Sequence, residues 1–126
     1  YRSEDVLPMA PSEYFHRNVY VGSSFPSPVD ADARHDIGVS HYLWGSDYPH
    51  YEASWPYTRE LLRRSFAGTD PVELQQVLAG NAADVYAFDL EALAPLAARF
   101  GPTHAEIAEP LVAIPADATS PGFHRP

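Results

Sequence analysis

The chain has 126 residues, 45% of them hydrophobic, and a formal net charge of −9, which allows one modest core and makes a single domain the ceiling. Its acidic residues alternate with apolar ones instead of forming a block, so the surface repels nucleic acid and anionic membranes, and neither is expected as a partner. The absence of cysteine excludes disulfides, a thiolate zinc site and a cysteine nucleophile. With no signal segment and no apolar run near the roughly 18 residues that cross a bilayer, a cytoplasmic location is expected.

The sequence opens at Tyr1 without a Met, and the stretch to Pro11 runs straight towards an aromatic cluster, as though cut from something longer. The 13 prolines remove backbone donors and demand extended loops. The first strand is expected at Asn18 to Val21, short and β-branched, ended by Gly22-Ser23-Ser24 and the proline-containing run from Phe25 to Pro28. Asp30 to Arg34 predicts a short helix with an acid-to-base pair across one turn, stopped before Gly38. A second strand over His41 to Trp44 delivers the chain into Gly45-Ser46-Asp47. Strand, short helical crossover and strand is the grammar of a parallel βα unit.

Helices dominate from there. Tyr57, Leu61, Leu62 and Phe66 make one apolar face ahead of Gly68. Asp70-Pro71-Val72-Glu73 reads as an N-cap, a proline at the first helical position and a glutamate three residues after the cap, opening a helix to about Leu78 before Gly80. Asn81 repeats the cap logic. A further helix is expected from Leu90 to Phe100, kinked or restarted at Pro95 and ended by Gly101. Thr103-His104-Ala105-Glu106 is another capping box, for a short helix stopped near Pro110. Residues Ile114 to Pro126 form a proline-rich tail that either lies on another surface or is disordered. Two parallel strands alone have open edges, and strands apolar on both faces call for further strands and helices around them.

The segment Trp44 to Glu52 carries the chemistry. An acid follows an apolar strand, after a glycine and before Pro49, at the strand end where barrel enzymes project catalytic side chains. If strand parity holds, Leu43, Gly45 and Asp47 face an interior while Tyr42 and Trp44 face helices. On spacing alone, Asp47 is either such a side chain or a turn residue capping the loop that follows. His50 can donate to a substrate carboxylate, support Asp47, or face solvent. Glu52 reads as a loop carboxylate. Phe25, just past the first strand, either lines the mouth of a pocket or packs. The six histidines contain no His-x-His pair and no pair four apart on a helix, and one carboxylate cannot hold zinc.

Four ordered motifs carry a resemblance: WGSDYPHYE at Trp44 to Glu52, WPYTRELL at Trp55 to Leu62, GNAADVYAFD at Gly80 to Asp89, and RFGPTHAEIAEPL at Arg99 to Leu111. From about Tyr14 onward the chain resembles the C-terminal part of amidohydrolase-related proteins, a group that includes the decarboxylases similar to aminocarboxymuconate-semialdehyde decarboxylase. The resemblance implies an α/β fold, the C-terminal part of a (β/α)8 TIM barrel, with the last two strands and helices in residues 1–89 and a helical, proline-rich extension in 90–126. Asp47 matches the family's aspartate at the end of strand eight, which coordinates a divalent metal or acts as general base or acid. His50 and Phe25 would then contact a small-molecule substrate, and the metal, zinc first, would take its other ligands from outside this chain.

The function so implied is hydrolysis of an amide, ester or lactone, or non-oxidative decarboxylation of a small carboxylic acid. The expected partners are a missing N-terminal barrel portion or companion chain and, in a homo-oligomer, further copies of the protein. The alternative is a non-catalytic barrel fragment acting as a binding or oligomerisation subunit. A free-standing enzyme working through Asp47 and His50 alone is the third reading.

Overall fold

The computed structural model of the chain describes residues 7–126, so the opening residues Tyr1 to Val6 lie outside the described residues. Helix α1 (Pro11–Asn18) leads into strand β1 (Val21–Ser24), short helices α2 (Pro28–Asp32) and α3 (Arg34–Ile37), and strand β2 (Tyr42–Gly45). The rest is helical: α4 (Thr58–Phe66), α5 (Pro71–Gln75), α6 (Asn81–Tyr86), α7 (Leu90–Phe100) and α8 (His104–Ala108). No helix among the described residues is long and apolar enough to cross a membrane.

The two strands pair in parallel, with Val21 opposite Tyr42 and Ser24 opposite Gly45. The first strand therefore lies three residues later than β-propensity alone places it, and Asn18 ends a helix instead. Pairing with β2 decides the matter: strand propensity reports fit to neighbours more than an intrinsic backbone preference. Tyr42 packs with Ala31, Leu62, Phe66, Leu74, Val77 and Ile107, and Trp44 lies against the same cluster, so helices cover this face of the sheet. Burial holds the Tyr42 phenol above its usual pKa, and the nearby Ser23 hydroxyl opposes that shift. Leu43 and Gly45 alternate to the other face, where their strand partners Gly22 and Ser24 are exposed.

Several local signals form as expected. Gly38 and Gly68 adopt φ of 101° and 77°, which only glycine takes without strain. The Asp70 carboxylate accepts from the amides of Val72 and Glu73 at 2.9 and 3.2 Å. Thr103 and Glu106 close a reciprocal box, the Glu106 carboxylate accepting the Thr103 amide at 2.6 Å. Helix α7, by contrast with the expected restart, runs through Pro95 as one helix from Leu90 to Phe100.

Three expectations change. Asp30 caps α2 by accepting from Ser27 rather than pairing along the helix with Arg34. Arg34, only 7% exposed, is instead ion-paired with Glu73 of α5, a contact 39 residues distant in sequence. Gly80 does not stop a helix, since α5, one π-helical turn over Gln76–Gly80 and α6 run on with right-handed dihedrals throughout. Asn81 is accordingly no cap: its amide donates to the carbonyls of Val39 and Tyr42 at 2.6 and 2.7 Å, which fastens α6 to the start of β2. The left-handed helix end falls at Ala87, with φ 55°.

The tail packs on its own chain. Ala118 and Phe123 are buried with Phe25 and Leu61 in a second cluster, flanked by Tyr57 and Leu111. No hydrophobic periodicity announces this, because a tail whose regular structure among the described residues is one 3₁₀ turn, Pro121–Phe123, buries single side chains where the chain brings them.

Candidate functional site

At the C-terminal ends of the two strands the backbone leaves the sheet in the same unusual way. Phe25, the residue after β1, has φ 42°, and Asp47, two residues beyond β2, has φ 61°. A non-glycine residue with positive φ costs free energy and persists only where its surroundings impose it, which is common at functional sites. The Phe25 amide donates to the Gly45 carbonyl at 3.1 Å, carrying the ladder one step beyond the strand pair. Its ring is buried among Leu61, Ala118 and Phe123. The left-handed turn at Asp47 ends strand alternation, so Asp47 is aimed by its loop and not by the pleat.

That loop folds tightly. The Asp47 carbonyl accepts the His50 amide at 2.8 Å, the His50 carbonyl accepts the Ala53 amide at 3.0 Å, and the Ser46 carbonyl accepts the Ser54 amide at 3.1 Å. The peptides preceding Pro49 and Pro56 are both cis. Ser54 is buried, and its hydroxyl meets that of Thr58 at 2.9 Å, joining the loop to the first turn of α4.

The fold brings Asp47, His50 and Glu52 together. His50 Nδ1 lies 3.3 Å from Asp47 Oδ2 and 3.8 Å from Glu52 Oε2. All three side chains are partly exposed, the two carboxylates at 36%, so solvent or substrate reaches them. The Tyr51 hydroxyl donates to Glu52 Oε1 at 3.0 Å, and that bond, with the charge of the carboxylate, raises the Tyr51 pKa. Tyr48 and Trp55 stand exposed beside the loop with ring centroids 6.1 Å apart, an aromatic rim able to flank a flat organic substrate.

Glu52 lies on the loop, as read from the sequence, and its approach to His50 at 3.8 Å depends on a loop closure that spacing does not reveal. The remaining histidines lie elsewhere. His16 and His41 meet near the N-terminal ends of the strands, with rings 5.8 Å apart, and the ring of His124 closes on the Ala118 carbonyl. The His50 ring lies within 3.8 Å of both neighbouring carboxylates, so the three side chains cluster. Among the described residues no group of three His, Cys, Asp or Glu can hold a metal ion. Asp47 can supply a single oxygen ligand, and a whole metal site requires further donors, which the described residues do not bring to it.

Two parallel strands, helices on one face and an acid-bearing loop past the strand ends make a mixed α/β unit compatible with part of an amidohydrolase barrel. The family model described as Amidohydrolase matches residues 9–88, more than half of the chain, and the chain belongs to that family. No curated protein and no solved structure matches it. The family match contains the strands, Asp47, His50 and Glu52, and ends before α7 and the tail.

Proposed function

We propose that the chain forms the C-terminal part of a metal-dependent enzyme that hydrolyses an amide, ester or lactone, or removes carbon dioxide from a small carboxylic acid, with Asp47 as its catalytic carboxylate. The observation that carries this reading is the left-handed Asp47 past the C-terminal end of a parallel strand, its carboxylate 3.3 Å from the His50 ring. In (β/α)8 enzymes that end of the strands bears the active site. The resemblance to decarboxylases such as aminocarboxymuconate-semialdehyde decarboxylase supports the carboxylic-acid branch of the proposal.

Asp47 takes a proton from the attacking water in hydrolysis, or delivers one to the carbon left by carbon dioxide; a positioned group of this kind contributes roughly 10²- to 10⁴-fold. His50, 3.3 Å from the Asp47 carboxylate, orients it and meets a substrate carboxylate at the mouth, while Phe25, packed in the core below β1, supports the strand end instead of lining that mouth. A divalent metal, zinc first, would polarise the substrate oxygen and acidify water, with Asp47 as one ligand and histidines from outside this chain as the others. The outer edges of β1 and β2, unpaired among the described residues, would take neighbouring strands from a preceding barrel portion or a companion chain.

The test is native mass spectrometry with metal analysis of the purified protein. The reading expects one divalent ion per assembled site and weaker retention of it by an Asp47→Ala variant. Equal metal retention by the variant would remove Asp47 from the ligand set. The alternative of a non-catalytic oligomerisation subunit draws on α7, which buries none of its 11 residues.

A further inference from the structure

The tail lies outside the family match, yet it touches the residues that follow both strands. The Ser120 hydroxyl, in a residue only 3% exposed, donates to the Glu52 carbonyl at 2.8 Å, and the Tyr57 hydroxyl donates to Asp117 at 2.6 Å. Among the described residues, these are the hydrogen bonds that reach residues 47–57 from beyond the loop and its flanking strand and helix. Both come from the tail.

The same segment is fixed to the body. Phe123 is 1% exposed. A Cβ at Gly122 would overlap the Phe25 carbonyl oxygen and meet both Leu61 methyls at 3.0 Å, so only glycine lets the tail approach this closely. Arg64 of α4 donates to the carbonyls of Gly122 and Arg125 at 3.3 and 2.7 Å, and the Arg125 guanidinium lies over the Phe25 ring at 5.7 Å.

We infer that residues 117–126 are a strap that positions the Asp47 loop, with Ser120 as its positioning residue and Gly122 and Phe123 as its anchor. The strap rests on the reading of that loop as the catalytic one. Its mechanism is local: Ser120 ties the loop backbone at Glu52, and that tie limits how far His50 and Glu52 swing from Asp47.

The experiment compares Ser120→Ala and Ser120→Thr with the unaltered protein by amide hydrogen exchange and by the NMR shift of the His50 ring. A hydrogen bond with a net contribution of about 1 kcal/mol corresponds to about fivefold, so Ser120→Ala should accelerate exchange at Ala53 and Ser54 about that much. The His50 ring shift should move with it, exchange in α5 and α6 should stay unchanged, and threonine should restore both readouts. Gly122→Ala should produce a larger change in the same loop. Unchanged exchange at Ala53 and Ser54 in Ser120→Ala, or acceleration spread evenly through α5 and α6, would overturn the strap. Neither readout needs turnover, so an active Asp47→Asn enzyme would defeat the catalytic reading and leave this result standing.

Discussion

Helices α4 and α7 both carry an apolar face, yet they have opposite fates. Helix α4 buries Leu61, Leu62 and Phe66 between the sheet and the tail, whereas α7, with Leu90, Leu93, Leu96 and Phe100, buries nothing among the described residues. An amphipathic pattern specifies a helix, but burial depends on what the topology sets opposite it. The residues around α4 also brace the candidate site: Ser54 and Thr58 tie the Asp47 loop to its first turn, and Arg64 holds the strap.

The sharpest way to break this comparison is Phe66→Ala, which empties the centre of the cluster under β2. It should cost about 3–5 kcal/mol of stability in urea unfolding. Asn81→Ala comes next: it leaves the Val39 and Tyr42 carbonyls without their amide donors and should cost roughly 1–3 kcal/mol. Leu93→Ala in α7 should change stability by less than about 0.5 kcal/mol, as exposed substitutions do. A large loss there would mean that α7 is covered in the protein as purified, which is the outcome the oligomerisation reading needs.

The smallest effect concerns pH. Hydrogen bonds from the Thr103 backbone and hydroxyl, followed by the Arg59 charge, lower the Glu106 pKa below its ordinary 4.5. The contribution of the α8 cap is therefore fully present above 4.5 and fades as the pH falls through the lowered folded value. Thr103→Val removes the hydroxyl but keeps the backbone amide and Arg59, so it should weaken that acid dependence without abolishing it, read as unfolding midpoint against pH.

The features legible in the sequence are those decided within one turn. Asp70 with Pro71, Thr103 with Glu106, and the stops at Gly38 and Gly68 are local backbone chemistry, and each forms where expected. The departures are non-local. The Arg34 partner is 39 residues away, the Asn81 amide reaches back 39 and 42 residues, and Ser120 reaches Glu52 across 68. In the candidate site, Asp47 and His50 were legible from the strand-to-loop transition and three-residue spacing. The part of Glu52 and the tail were not, because their placement depends on loop closure and on a tail with no hydrophobic period.

The measurement that tests the central claim most directly is turnover of the assembled enzyme against small carboxylates, amides and lactones, with and without Asp47→Asn. The substitution keeps the size of the side chain and removes its charge and its ability to take up a proton. The account predicts a fall in kcat of roughly 10²-fold or more, while stability in urea stays within about 0.5 kcal/mol of the unaltered protein, as for other surface substitutions. An Asp47→Asn enzyme with undiminished kcat would contradict it.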